Sequence, residues 1–318
     1  MDLDQIRQNA RQNAAADVFA AMSSEKKSQK LLTQIRGQSD AMIDLDALYQ
    51  GIPSDQLEIY RAMVRGHDNP FYNELSQVNN LLKTGDLILS TGNTTGARII
   101  TKGQKLGYKN AKSSHVALIH ADFVCVDAVP GLGVSNRLVS DVLSDVKPDW
   151  RVIRCKKLGS EHLDGIYQAC AFYLAQPYKI LPSTKPMKGA AYCSELARKV
   201  FLHTGVTGIG IPNDCVLSPG KYDDLADNHL QWEDVTEHVK PAIDFCFKYQ
   251  KLIIVVSRLM IEGLKLNRKR FEDRKAQIQV IHLAAKKGTI PREKAKELIK
   301  SIREIETNMN HQFWDHTK

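Results

Sequence analysis

The spacing of apolar and polar positions changes period along the chain. Over residues 1–80 apolar side chains recur at helical spacing, broken at Gly37, at Gly51–Pro53 and between Gly66 and Pro70. Leu57, Tyr60, Met63 and Val64 share one helical face, and Ser54 before them predicts a cap. From residue 85 the apolar runs shorten to strand length. Leu87–Leu89, Ser114–His120, Phe123–Val129 and Trp150–Cys155 predict strands, and Gly133–Ser135 predicts a shorter one. Ala121–Asp122, between the second and third runs, predicts a hairpin turn. Residues 91–112 read as a long glycine-containing loop with one helical turn. Helical spacing returns over 161–175, behind Ser160 as the expected cap. It returns again at Tyr192–Phe201, closed by Gly205. A Pro-rich loop separates the two helices, and 206–240 read as irregular, with a Pro/Gly/Asp-rich stretch and short elements. From Pro241 the pattern is helical to the end, with a bend expected at Gly263, a stop at Gly288, and a second helix capped by Thr289 with Pro291 in its first turn.

This order of elements predicts an α+β fold in three parts. These are a helical N-terminal extension (1–80), a central domain with an antiparallel sheet and packed helices (81–240), and a basic helical C-terminal extension (241–318). The chain has 318 residues, 43% hydrophobic and 25% charged, which excludes a wholly disordered chain and a multi-span membrane protein. The longest uninterrupted aliphatic run, Leu252–Val256, falls far short of the ~20 residues of a membrane span.

The net charge of +8 is uneven. Residues 241–318 carry 17 Lys and Arg against 9 Asp and Glu, so the basic excess lies there. Such a segment suits an anionic membrane or an acidic partner, or a solvated helical surface. It lacks interleaved aromatics and any reader motif, so no nucleic-acid partner is expected. The six cysteines show no CxxC spacing, which argues against zinc and redox motifs and against a disulfide framework. No metal or cofactor is expected. The chain begins MDLDQIRQNARQ without an apolar h-region, so a Sec signal is not expected. The expectation is synthesis in the cytoplasm and, for any external target, export by a signal-independent route.

Three residues point to chemistry. Cys193 opens a predicted helix, where unpaired N–H groups and the helix dipole favour a thiolate. His115 heads a strand and is a candidate base. Asp127 lies on the neighbouring strand at a similar offset from the turn, so the two can be cross-strand neighbours, with the carboxylate orienting the imidazole. Singly, each has a plain structural reading: a small core thiol, a satisfied histidine, a turn-capping carboxylate. His120 alternates to the other strand face, and His203 stands about 15 Å along the helix from Cys193, so neither competes as the base.

The segments GDLILS, SHVALIH, FVCVDAV, AQPYK and YCSELARKVF, in that order, resemble the permuted NlpC-type, papain-like cysteine amidases of the YiiX/YaeF-like kind. The resemblance covers roughly residues 83–205. It implies a permuted papain-like core, with Cys193 as nucleophile, His115 as general base and Asp127, where the family usually has Glu, as the orienting acid. It further implies Tyr192, Tyr178 and Ser114 as substrate-binding residues and an oxyanion hole from backbone N–H groups at Cys193. The implied function is amide hydrolysis of peptidoglycan peptides, with an immunity or carrier protein as partner of a secreted antibacterial effector. Two alternatives stand beside it: a lipid-directed acyl hydrolase or acyltransferase, and a non-enzymatic interaction module on the same core. The basic loop 91–112 has no GxxxxGK[ST] string, so no nucleotide site is expected.

Overall fold

The computed structural model describes residues 24–178, 192–214 and 216–308, together with Val18. The chain divides into two compact units, Asp17–Leu259 and Met260–Lys318 with Met1–Ala16. The first contains every candidate site residue.

Four short helices precede the sheet: α1 (Glu25–Arg36), α2 (Asp40–Gln50), α3 (Leu57–Arg65) and α4 (Pro70–Val78). Their ends follow from local chemistry. Ser39 and Asn69 accept the N–H groups of Met42 and Tyr72, and Pro70 occupies the first turn, where its missing donor costs nothing. Gly51 and Gly66 close α2 and α3 in the left-handed conformation, at φ 72° and 73°. Ser54 does not cap α3; it opens a 3-10 turn, Ser54–Gln56, that leads into it.

The sheet has six antiparallel strands in the order β4-β3-β2-β1-β5-β6: β1 (Leu87–Ser90), β2 (His115–Ala121), β3 (Val124–Val129), β4 (Gly133–Leu138), β5 (Arg151–Cys155) and β6 (Trp232–Asp234). On one face, Leu87, Val116, Leu118, Val126 and Ile153 meet helices α7 (Leu163–Tyr173) and α8 (Cys193–Thr204) through Ile166, Ala169, Leu196 and Val200. Each aliphatic side chain buried this completely stabilises the fold by roughly 1.5–3 kcal/mol. Behind the other face lies an aromatic cluster. Phe71 of α4 contacts Phe245 and Tyr249, and Phe245 contacts Phe123 at the β2–β3 turn. The N-terminal helices are thus sewn to helix α10 (Thr236–Lys248), with Lys248 Nζ 2.7 Å from Glu74.

The result is a mixed α+β fold with an antiparallel sheet flanked by helices. Several elements depart from the sequence expectation. Residues 91–112 hold a ten-residue helix, α5 (Thr95–Gln104), because Thr94 accepts the Ala97 N–H and the Ala97 side chain is buried. Strand β4 runs three residues further than predicted, and helix α6 (Val139–Leu143) follows it directly. Ser160 opens a 3-10 turn rather than capping α7; the Gly159 N–H is satisfied by His162 Nδ1. The short elements expected within 206–240 are helix α9 (Pro219–Asn228) and β6. Helix α10 starts five residues before Pro241, and helix α11 spans Gln250–Lys286. Helix α12 spans Arg292–Asn308, so Pro291 precedes its first residue.

Candidate active site

The β2–β3 hairpin sets the geometry. Its two-residue turn is Asp122–Phe123, one position later than the sequence suggests, with Asp122 in the left-handed region at φ 47°. A register shift between Ile119 and Ala121 follows, and Leu118 then pairs with Val126. Continued, that register sets Asp127 opposite Ala117 and leaves His115 on the diagonal, still on the same face. Val116 and Val126 belong to the core face, so His115 and Asp127 alternate away from it.

The diagonal separation suits the two side chains. His115 Nε2 is 2.9 Å from Asp127 Oδ2. Asp127 is fully buried, and the same oxygen accepts from Arg137 Nη1 at 2.9 Å, while Arg137 Nη2 donates to the Asp141 carbonyl. Arg137 faces this site from β4, where it pairs with Cys125. A buried carboxylate is costly unless charged donors meet it, and here a guanidinium and an imidazole do.

With Nε2 committed to Asp127, the other ring nitrogen of His115 is left for Cys193. Cys193 begins α8, which packs against β2 and β3, and its thiol lies close enough to the imidazole for each group to shift the other. Burial disfavours the thiolate, but the His115 charge and hydrogen bond, with backbone N–H groups of Val116 and Ser194, outweigh it and hold the thiol below its ordinary value. For His115, burial opposes protonation; the Cys193 and Asp127 charges overcome it and push the imidazole up to about 10. The two shifts run in opposite directions, and each favours a thiolate beside an imidazolium. Four other cysteines are described, and burial pushes the thiols of Cys125, Cys155, Cys170 and Cys246 up. Cys215 lies outside the described residues. His120 is buried against Tyr167 and pushed down to about 4 by burial, so it stays neutral.

The remaining residues singled out in the sequence have these places. Tyr178 is half-buried beside the core, and its hydroxyl is raised first by burial and then by the Cys193 charge. The Tyr192 hydroxyl accepts the Leu217 N–H at 2.7 Å, and burial raises it to about 12. Ser114 ties two strands together, its Oγ accepting from Gly92 and its N–H donating to Ser90. Glu195, in the first turn of α8, is buried 3.3 Å from Lys199 Nζ. Of the Pro-rich loop before Cys193, 179–191 lie outside the described residues.

The sequence reading missed a brace. Leu217 is held at both backbone groups by the residues flanking the nucleophile: its N–H donates to Tyr192, and its carbonyl accepts from Ser194 Oγ at 2.7 Å. Six residues on, buried Asp223 accepts the N–H groups of Lys112 and Ser113 and the Ser113 hydroxyl, each at 2.8 Å. The 217–223 segment thus connects the start of α8 to the residues just before His115. A cavity of about 640 Å³ opens near Asp86, Arg154 and Tyr167, at the Ala121 end of β2 and away from His115. Among the described residues no group of three or more His, Cys, Asp and Glu is placed to hold a metal.

No family model matches the chain, and no curated protein matches it. A solved structure, that of the metalloprotein YiiX from Escherichia coli O157:H7, a DUF1105 protein, is matched at 20% identity. The match covers 50% of this chain and 91% of that one, with a TM-score of 0.34.

Proposed function

We propose that this protein is a cysteine hydrolase of amide bonds on a permuted papain-like core, acting through an acyl-enzyme on Cys193. The observation that carries the reading is the pairing of a lowered Cys193 thiol with a raised His115 imidazole braced by Asp127. In this mechanism the Cys193 thiolate attacks the carbonyl carbon and its π electrons move to oxygen. The tetrahedral intermediate collapses, the C–N bond breaks, and His115 gives its proton to the leaving amine. Neutral His115 then takes a proton from water, hydroxide adds to the thioester carbon, the C–S bond breaks to release the carboxylic acid, and the thiolate–imidazolium pair returns. Asp127 keeps the ring oriented and its imidazolium stabilised throughout.

The resemblance carried by the YCSEL, SHVALIH and GDLILS segments to permuted NlpC-type amidases supports a cell-wall stem or crosslink peptide as the substrate. A substrate outside the cytoplasm requires delivery by a route that needs no cleavable signal, and an inhibitor plugging the Cys193 cleft would protect the producer. The test is digestion of isolated peptidoglycan by the wild type and by Cys193→Ala, with soluble fragments weighed by mass spectrometry. Fragments from the wild type alone support the reading; intact peptidoglycan with both overturns this substrate. A second reading, hydrolysis of a lipid acyl group by the same thiolate, is favoured by the surface of α5. The same pair of proteins assayed for fatty-acid release separates the two.

A further inference from the structure

The helix α5 is amphipathic the wrong way round for a helix that meets only water and its own core. Its inward positions are Ala97, Thr101 and Gln104, small or polar. Thr101 returns its hydroxyl to the Ala97 carbonyl, and Gln104 bonds the Gly220 N–H and the Ser113 carbonyl. Its large aliphatic side chains point outward: Ile99 is 65% exposed, Ile100 47%, and Leu106, just past the helix, 96%. A helix of a soluble domain ordinarily buries this stripe. Scattered exposed aliphatics need no explanation, but two on one short helix and a third, almost fully exposed, two residues past its end mark a candidate interaction surface.

The charge around them identifies the partner. Residues 91–112 contain Arg98, Lys102, Lys105, Lys109 and Lys112 and no Asp or Glu. Among the described residues no ion pair holds any of these cations. Aliphatic side chains surrounded by cations without acids suit the boundary of an anionic bilayer, where the aliphatics enter the acyl region and the cations meet lipid phosphates. A protein partner of acidic character would match the charge but leave three aliphatics to be covered separately. We propose that α5 and the turn to Leu106 dock this protein on a bilayer containing anionic lipid. Gln104 and Asp223 fasten the inward side of this segment to Ser113, two residues before His115, so the outward aliphatics are carried on an anchored element.

Docking does not depend on hydrolysis, so it is measured with the full-length Cys193→Ala chain, and its failure leaves the hydrolase reading untouched. The chain is sedimented with vesicles of phosphatidylcholine alone and of phosphatidylcholine with phosphatidylglycerol, at low and high salt. The expected result is binding to the anionic vesicles that weakens with salt. An Ile99→Ser/Ile100→Ser/Leu106→Ser variant lowers that binding about tenfold or more, and so does Lys102→Glu/Lys105→Glu/Lys109→Glu. These positions are exposed, and an unchanged melting temperature confirms that each variant is folded. Equal binding to both vesicle types, or none, overturns the proposal. Loss with the charge variant but not the aliphatic one also overturns it, because that pattern marks a general polyanion surface. Full binding by both variants overturns it too, and assigns the membrane contact to the basic 241–318 region.

Discussion

His115 Nε2 and Asp127 Oδ2 lie 2.9 Å apart although their residues are diagonal, not opposite, across the β2–β3 hairpin. An aspartate on the strand reaches the ring without the longer side chain of a glutamate. Its charge is one reason the imidazole is pushed up. Asp127→Asn keeps an acceptor but removes the charge, so His115 should titrate below about 10, moving toward its ordinary 6.5. NMR titration of the ring protons reads this directly. The sign for stability follows from the raised value: the contribution of His115 is complete below its unfolded pKa of about 6.5 and is lost as pH rises through about 10. An unchanged His115 titration in Asp127→Asn contradicts the arrangement.

Arg137 is the second donor to Asp127, and removing it leaves a fully buried carboxylate with one partner. Arg137→Met should destabilise the protein by about 3 kcal/mol. In a unit of this size that lowers the melting temperature by about 6–12 °C. Adding Asp127→Asn recovers part of the loss, because a neutral amide no longer needs the cation. A cost for Arg137→Met under about 0.5 kcal/mol, the size of an ordinary surface change, contradicts the pairing.

The brace at Asp223 gives a separate expectation. Asp223→Ala strips the acceptor from the Ser113 N–H and hydroxyl, both in buried surroundings. Denaturant unfolding should show a loss of about 2–4 kcal/mol, with Asp223→Asn losing less. Equal and small losses for the two variants would show that the segment before His115 is held some other way.

Two glycines in one turn should behave differently. Gly131 and Gly133 both have positive φ, 82° and 75°, where an L side chain is strained. A Cβ at Gly131 meets nothing within 4 Å, but at Gly133 it falls 2.4 Å from the Gln176 carbonyl oxygen. That carbonyl accepts the Val134 N–H, and Tyr178 follows two residues later. Gly131→Ala should therefore cost about 1 kcal/mol and Gly133→Ala clearly more. Amide exchange at Val134 and Ala175 should accelerate only in Gly133→Ala. The same exchange rates in both variants contradict this account of the strap that carries Tyr178.

The alternation of apolar residues made the strands around His115 and Asp127 legible, because one sheet face is buried and the period of two follows directly. Cys193 was legible because a helix start is marked by local sequence, and Gly205 marked its end. The register was not legible. A turn of Asp122–Phe123 and a shift at Ile119–Ala121 move the pairing, and neither has a strong turn signature. Arg137 escaped because β4 was read as ending at Ser135, although Val134, Asn136 and Leu138 continue one side of the strand. Asp223 and Leu217 carry no local signal at all; their importance comes from contacts with residues more than twenty positions away. Helix α5 escaped for a physical reason too. Its glycines and outward aliphatics disguise the periodicity, and its stability comes from the Thr94 cap and the Gln104 bonds.

The proposed mechanism requires Cys193 to rest as a thiolate beside His115, and alkylation by iodoacetamide across pH reports that state. The modified cysteine is identified by peptide mass, with Cys193→Ala as the control. The expected result is one fast-reacting thiol at neutral pH, Cys193, whose rate declines only as pH falls through a value below the ordinary 9, while Cys125, Cys155, Cys170 and Cys246 react slowly. A Cys193 that reacts no faster than those four, with a rate still climbing toward pH 9, would contradict it.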